Sequence, residues 1–144
     1  MTTASHMYKK LEDLSKRHER LRKKFVEFFE LAGYLATDQS SIKGIVFDNR
    51  IEENYFVTNF CGQAFHFCFS MTVDQAGASH GCVSCFAVDQ FDATKRQLKT
   101  SFLYFGTGIT DVPKPDDIED QISLDTDVGA IYLVCHCLLI GMSK

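Results

Sequence analysis

The residues best suited to chemistry cluster in the middle of the chain. Cys82-Val83-Ser84-Cys85 is a C-x-x-C motif with His80 two residues before it. A closed zinc site needs four converging ligands, usually as two such pairs, and no second C-x-x-C is present. Cys135 and Cys137 flank His136 at a spacing of two, which on a helix turns the thiols about 200° apart. If residues 81–88 form a strand, Cys82 and Cys85 point to opposite faces of its sheet. His80, Cys82 and Cys85 are therefore weak metal candidates, and no metal or other cofactor is expected. Redox use of the motif needs a thiolate stabilised at a helix N-terminus, which a strand does not offer.

A second constellation runs along residues 64–73. The alternation places Phe65, Phe67, Phe69, Met71 and Val73 on one face and Ala64, His66, Cys68, Ser70 and Thr72 on the other. A His and a thiol two residues apart share a face, so His66 is the natural base if Cys68 is a nucleophile. A triad is defined by geometry and a third, orienting group, and no adjacent residue supplies one. The row also suits the polar wall of a ligand pocket, with Tyr55, Phe86, Phe102 and Tyr104 as aromatic walls. The pocket candidates are His66, Cys68, Ser70, Thr72 and Tyr104. No H-E-x-x-H, G-x-S-x-G or P-loop occurs, and Gly106-Thr107-Gly108 lacks the lysine and third glycine of a phosphate-binding loop. The motifs lean away from an enzyme.

The elements that must carry these residues follow from periodicity. From Tyr8 to Leu35 the chain is rich in helix formers, with Leu11, Leu14, His18, Leu21, Phe25, Phe28, Ala32 and Leu35 spaced alternately by three and four. That is a heptad seam whose only polar member is His18. Val26, Phe29 and Leu31 widen it, so the second half is expected to lie on the domain core. The first half, narrow and flanked by charge, suits pairing with a second copy. Leu11, Leu14, His18, Leu21 and Phe25 are the dimer-seam candidates, and a charged His18 there would make the pairing pH-sensitive near pH 6.

Beyond residue 40 the period changes to two. Short strands are expected at 45–47, with a turn at 48–50, then at 55–60, 64–73, 81–88 and 98–105, an antiparallel meander. Pro115-Asp116-Asp117 suits the start of a short helix. Residues 130–140 are apolar throughout and fit either a buried helix or, by their β-branched content, a central strand, which is the expectation taken here. The fold class is α+β: a long N-terminal amphipathic helix on a mainly antiparallel sheet of five to six strands. Both sheet faces carry apolar residues, so a second layer is expected over part of the other face.

Composition sets the outer limits. The chain has 144 residues, a net charge of −4, 45% apolar residues and 13 Phe, which excludes intrinsic disorder. No apolar run approaches the ~18 residues of a membrane span. Residues 1–6 read as a vector-derived tag, and 7–144 as one domain. Without an apolar leader segment the expected compartment is the cytoplasm, where six thiols stay reduced and pack as small hydrophobes. The helix carries eight basic and five acidic residues, whereas 111–127 carries seven acids and one lysine. Interleaved acids and an acidic whole argue against nucleic acid as partner. A basic helix meeting the acidic segment of another copy would orient a homodimer. The function expected is that of a small non-enzymatic interaction or regulatory protein, dimeric through its N-terminal helix. The alternatives are a small-molecule-binding module and a nucleic-acid-associated protein.

Overall fold

The computed structural model describes residues 3–143; Met1 and Thr2 of the expected tag and the final Lys144 lie outside them. Helix α1 spans Ala4–Ala32, capped by Thr3, whose hydroxyl accepts a hydrogen bond from the His6 amide at 3.1 Å. Thr3–His6 of the expected tag thus form the cap and first turn of α1. From Leu21 onward the seam sinks into the core: Leu21, Phe25, Phe28 and Ala32 are buried. The Phe25 ring stacks on both Phe56 and Phe69 with centroids 5.6 Å away. Burying a side chain of that size contributes about 1.5–3 kcal/mol. A 3-10 turn, Gly33–Ala36, ends the element.

Five strands follow: β1 (Val46–Arg50), β2 (Tyr55–Phe60), β3 (Gln63–Val73), β4 (Ser79–Val88) and β5 (Arg96–Tyr104). They form one antiparallel sheet in the order β1-β2-β3-β4-β5. Asp48-Asn49-Arg50, expected as a turn, instead completes β1. The reversal comes later, at a 3-10 turn over Ile51–Glu53 and at Asn54 with φ +66°. Cys61 and Gly62, at φ +51° and +77°, make the two-residue hairpin between β2 and β3. A bulge at Cys85/Phe86 shifts the register of β4 against β5.

Residues 130–140 are not a strand. They lie in a second helix, α2 (Asp127–Met142), capped by Thr126, whose hydroxyl accepts from the Gly129 amide at 3.1 Å. Its buried stripe is Ala130, Leu133, Val134, Cys137 and Leu138, while Val128 and Leu139 are 63% and 73% exposed. Apolar residues on the exposed side hid the 3.6-residue period. Gly141 lets the helix approach Phe65, whose ring a Cβ would meet. Residues 105–126 run without regular structure and send Val112, Ile122 and Leu124 into the core. Pro115 opens only a turn, closed by Ile118 N–H to Pro115 O at 3.1 Å.

Both helices pack on the Phe-rich face of the sheet, the inner face. Its buried members are Phe56, Thr58, Phe65, Phe67, Phe69, Val83, Cys85, Phe102 and Tyr104. The outer face, with Tyr55, Val57, His66, Cys68, Ser84 and Phe86, is only half-buried, by neighbouring side chains of the sheet itself. Among the described residues no second layer covers it, contrary to the expectation. No described helix is long and apolar enough to cross a membrane.

Candidate functional site

The alternation of β3 sends His66, Cys68, Ser70 and Thr72 to the outer face, where the register sets Cys68 opposite Ser84 and Ser70 opposite Cys82. The Tyr55 and His66 rings stack with centroids 5.1 Å apart. Arg96 reaches back from β5, its guanidinium 4.1 Å above the Phe86 ring, and Nη1 donates to Cys68 Sγ at 3.4 Å. Burial, then the charge of Arg96, pushes the His66 pKa down, so the imidazole is neutral at pH 7. Burial raises the Cys68 thiol against the opposing pull of Arg96, which keeps it protonated and a poor nucleophile.

Tyr104 does not join this strip. It sits on the inner face, wholly buried, and its hydroxyl donates to the Leu21 carbonyl of α1. Phe102 is likewise on the inner face. A pocket walled by Tyr104 and His66 together is therefore impossible, because the sheet separates them. Grooves open elsewhere. One of about 680 Å³ lies between α1, the β3–β4 hairpin and the loop after β5, lined by Arg17, Arg20, Ser79 and Thr107. Another of about 470 Å³ lies beside the C-terminal end of α2, lined by Gln63, Lys95 and Lys99.

The C-x-x-C pair divides as strand geometry requires. Cys85 is buried on the inner face, and Cys82 lies on the outer face 3.7 Å from the Ser84 hydroxyl. His80 is engaged by Asp74, Nε2 to Oδ2 at 3.1 Å. Cys137 reaches Cys85 across the core; that contact, then burial, raises its thiol pKa. Among the described residues no three His, Cys, Asp or Glu side chains converge as metal ligands do.

The heptad seam splits into two parts. His18 packs on its own sheet, its ring 5.3 Å from that of Phe69, and Leu21 and Phe25 are core residues. Leu21 and Phe25 are thus committed to the chain's own core, and the half-buried His18 already packs on Phe69. Leu14 is half-buried, and Leu11, Tyr8 and Met7 are 66%, 74% and 55% exposed. Arg17 marks the boundary, donating to the Gly77 carbonyl of the β3–β4 hairpin at 3.2 Å. Every residue from Ala4 to Asp13 is exposed, so about 15 Å of helix stands clear of the sheet.

Several helix cations are also committed within the chain. Arg22 donates to Asn54 Oδ1 at 2.7 Å and to the Ile51 carbonyl at 2.9 Å. Lys24 pairs with Asp125 of the acidic segment at 2.7 Å. Part of the basic-to-acidic attraction expected between copies is thus satisfied inside one. These partners, like Arg96, escaped sequence reasoning because they depend on strand register and on how the 105–126 segment folds back.

None of the family models, curated proteins and solved structures compared with the chain matches it.

Proposed function

We propose that this chain is a non-enzymatic interaction protein that works as a homodimer joined through the N-terminal half of α1. One observation carries the reading. The apolar stripe that the chain buries from Leu21 onward continues through the half-buried Leu14 to Leu11 and Met7, which are exposed, with no described residue of the sheet against them. A single exposed apolar residue needs no explanation, but a stripe in register with a buried seam is a surface awaiting a partner.

Native mass spectrometry tests this reading. The wild-type chain is expected at twice its 16.3 kDa mass, and Leu11→Asp at the monomer mass with unchanged helix content. A wild-type monomer, or an unchanged Leu11→Asp dimer, contradicts it.

The groove beside Arg17 and Arg20 favours a second reading, a module for a small anionic ligand. Arg20 has no hydrogen bond or ion pair to any described residue, and two guanidinium groups with two hydroxyls suit an oxyanion. Thermal unfolding in millimolar pyrophosphate tests it: a rise in Tm lost in Arg20→Ala supports this reading, and a shift equal to that in matched chloride removes it.

A further inference from the structure

The homodimer reading leaves open what the free half of α1 rests against. The free stripe is ten residues long, less than two heptads, whereas a sustained coiled-coil seam takes about three or four. Two such stripes packed only on each other fall well short of the ~1,200 Å² that a stable interface buries. A second open surface lies on the sheet. At the β3–β4 hairpin end, the outer sheet face presents Ser70 and Cys82 beside Leu103 and Phe105, which are 38% and 49% exposed. Of the nearby carboxylates, Asp74 is held by His80, and Asp111 Oδ1 accepts from the Leu103 amide at 2.9 Å.

The direction of the stripe decides how two copies meet. With 100° per residue, Met7, Leu11 and Leu14 fall within about 40° of Phe25 around the helix. The free stripe therefore faces the layer that its own sheet occupies, but beyond the hairpin tip, where no described residue packs against it. A second sheet placed in that space, outer face toward the stripe, is related to the first by a two-fold axis in the plane of the sheets. The same rotation carries the second chain's free helix onto the first chain's outer face. One operation covers both stripes and both faces, as a closed isologous dimer requires.

We infer that the free half of α1 docks on the outer sheet face of a second copy, at its β3–β4 hairpin end, and that the exchange is reciprocal. The inference rests on the homodimer reading and goes further by naming the surface that receives the helix. The apolar stripe settles on Leu103, Phe105 and the small residues Ser70 and Cys82, which leave room for a helix to approach.

Site-specific photo-cross-linking distinguishes the two claims. Leu11 is replaced by p-benzoylphenylalanine, heavy- and light-nitrogen chains are mixed, and the links between chains are mapped by mass spectrometry. Links from position 11 to Cys82, Leu103 or Phe105 of the other chain are expected. A dimer whose links run to residues 4–14 of the other chain, or to the exposed side of α2 around Leu139, overturns the inference while leaving the homodimer standing. A dimer with no link between chains overturns it equally. A monomer at every concentration overturns both. Leu103→Arg gives an independent check, since the side chain is exposed and its loss leaves the core intact. Dimerisation at least tenfold weaker with an unchanged circular-dichroism spectrum is expected, and undiminished dimerisation overturns the inference.

Discussion

The Tyr104 hydroxyl donates to the main-chain carbonyl of Leu21, tying the last inward residue of β5 to the middle of α1. C-terminal to this bond the seam is core; N-terminal to it the helix still touches the sheet through His18 and the hairpin through Arg17, and stands clear only before Leu14. The ring lies flat against Gly81 of β4, where a Cβ would intrude on it. Burial drives the phenol pKa far above its usual range, so it stays a donor at any physiological pH.

Tyr104→Phe leaves the ring packing intact and removes the donor. The Leu21 carbonyl keeps its partner within the helix, so the loss is that of one buried hydrogen bond, about 0.5–1.5 kcal/mol, read as a lower urea midpoint at unchanged m-value. Gly81→Ala is expected to destabilise by about 1–3 kcal/mol, because the added methyl displaces the ring. A midpoint unchanged in both variants would show that this tie does not hold α1 in place.

The Lys24–Asp125 pair links α1 to the acidic segment. Burial alone would raise the Asp125 carboxyl, yet hydrogen bonds from Lys24 and Ser123 bring it below the ordinary range. The bond to Asp125 raises Lys24. For the carboxylate, whose folded pKa is depressed, stability is full above its unfolded value near 4 and is lost as pH falls through the lower folded value. For the ammonium, whose folded pKa is raised, it is full below about 10.4 and lost as pH rises through the higher folded value. Asp125→Asn is therefore expected to cost about 1–2 kcal/mol at pH 7, between surface and buried pairs, and progressively less toward pH 3. Urea unfolding at pH 3 and pH 7 checks it; an equal cost at both would exclude the ion pair as the cause.

His66 makes a prediction of opposite character. Its folded pKa lies below the ordinary 6.5, so the unfolded chain takes up a proton that the folded chain refuses. Stability is unaffected above that value and declines as pH falls below it, toward the folded pKa. His66→Gln is expected to flatten this part of the stability–pH curve. A curve that keeps its wild-type slope between pH 6.5 and 5 would assign the decline to other groups.

The thiols report the sheet faces directly. Cys61 is exposed and is expected to react first with a maleimide. Cys68, Cys82 and Cys135 are half-buried and should follow slowly, whereas Cys85 and Cys137 should react only on unfolding. Rapid labelling of Cys85 in the folded protein would mean that the inner face is open.

Sequence and structure agree where one period dominates. The alternation of residues 64–73 placed β3 within a residue of its observed start, and the same alternation sent Cys82 and Cys85 to opposite faces. The helical seam was legible from Leu11 to Ala32, but its division at Arg17 was not, because that depends on where the β3–β4 hairpin ends. α2 was misread since Val128, Leu139 and Ile140 are apolar on its exposed side and erase the pattern. Tyr104 was grouped with His66 by residue type alone, and only the pairing of β4 with β5 assigns it to the inner face. Arg96 gave no local signal: its place over Phe86 follows from the register after the Cys85/Phe86 bulge.

Sedimentation equilibrium of the wild-type chain from about 1 to 100 µM, beside Met7→Asp and Leu11→Asp, most directly tests a dimer built on the free half of α1. The wild type is expected to approach twice the chain mass within this range, and both variants to stay monomeric with unaltered unfolding midpoints at low concentration. A wild type that remains monomeric at 100 µM, or variants that associate as it does, would contradict the role given to that helix.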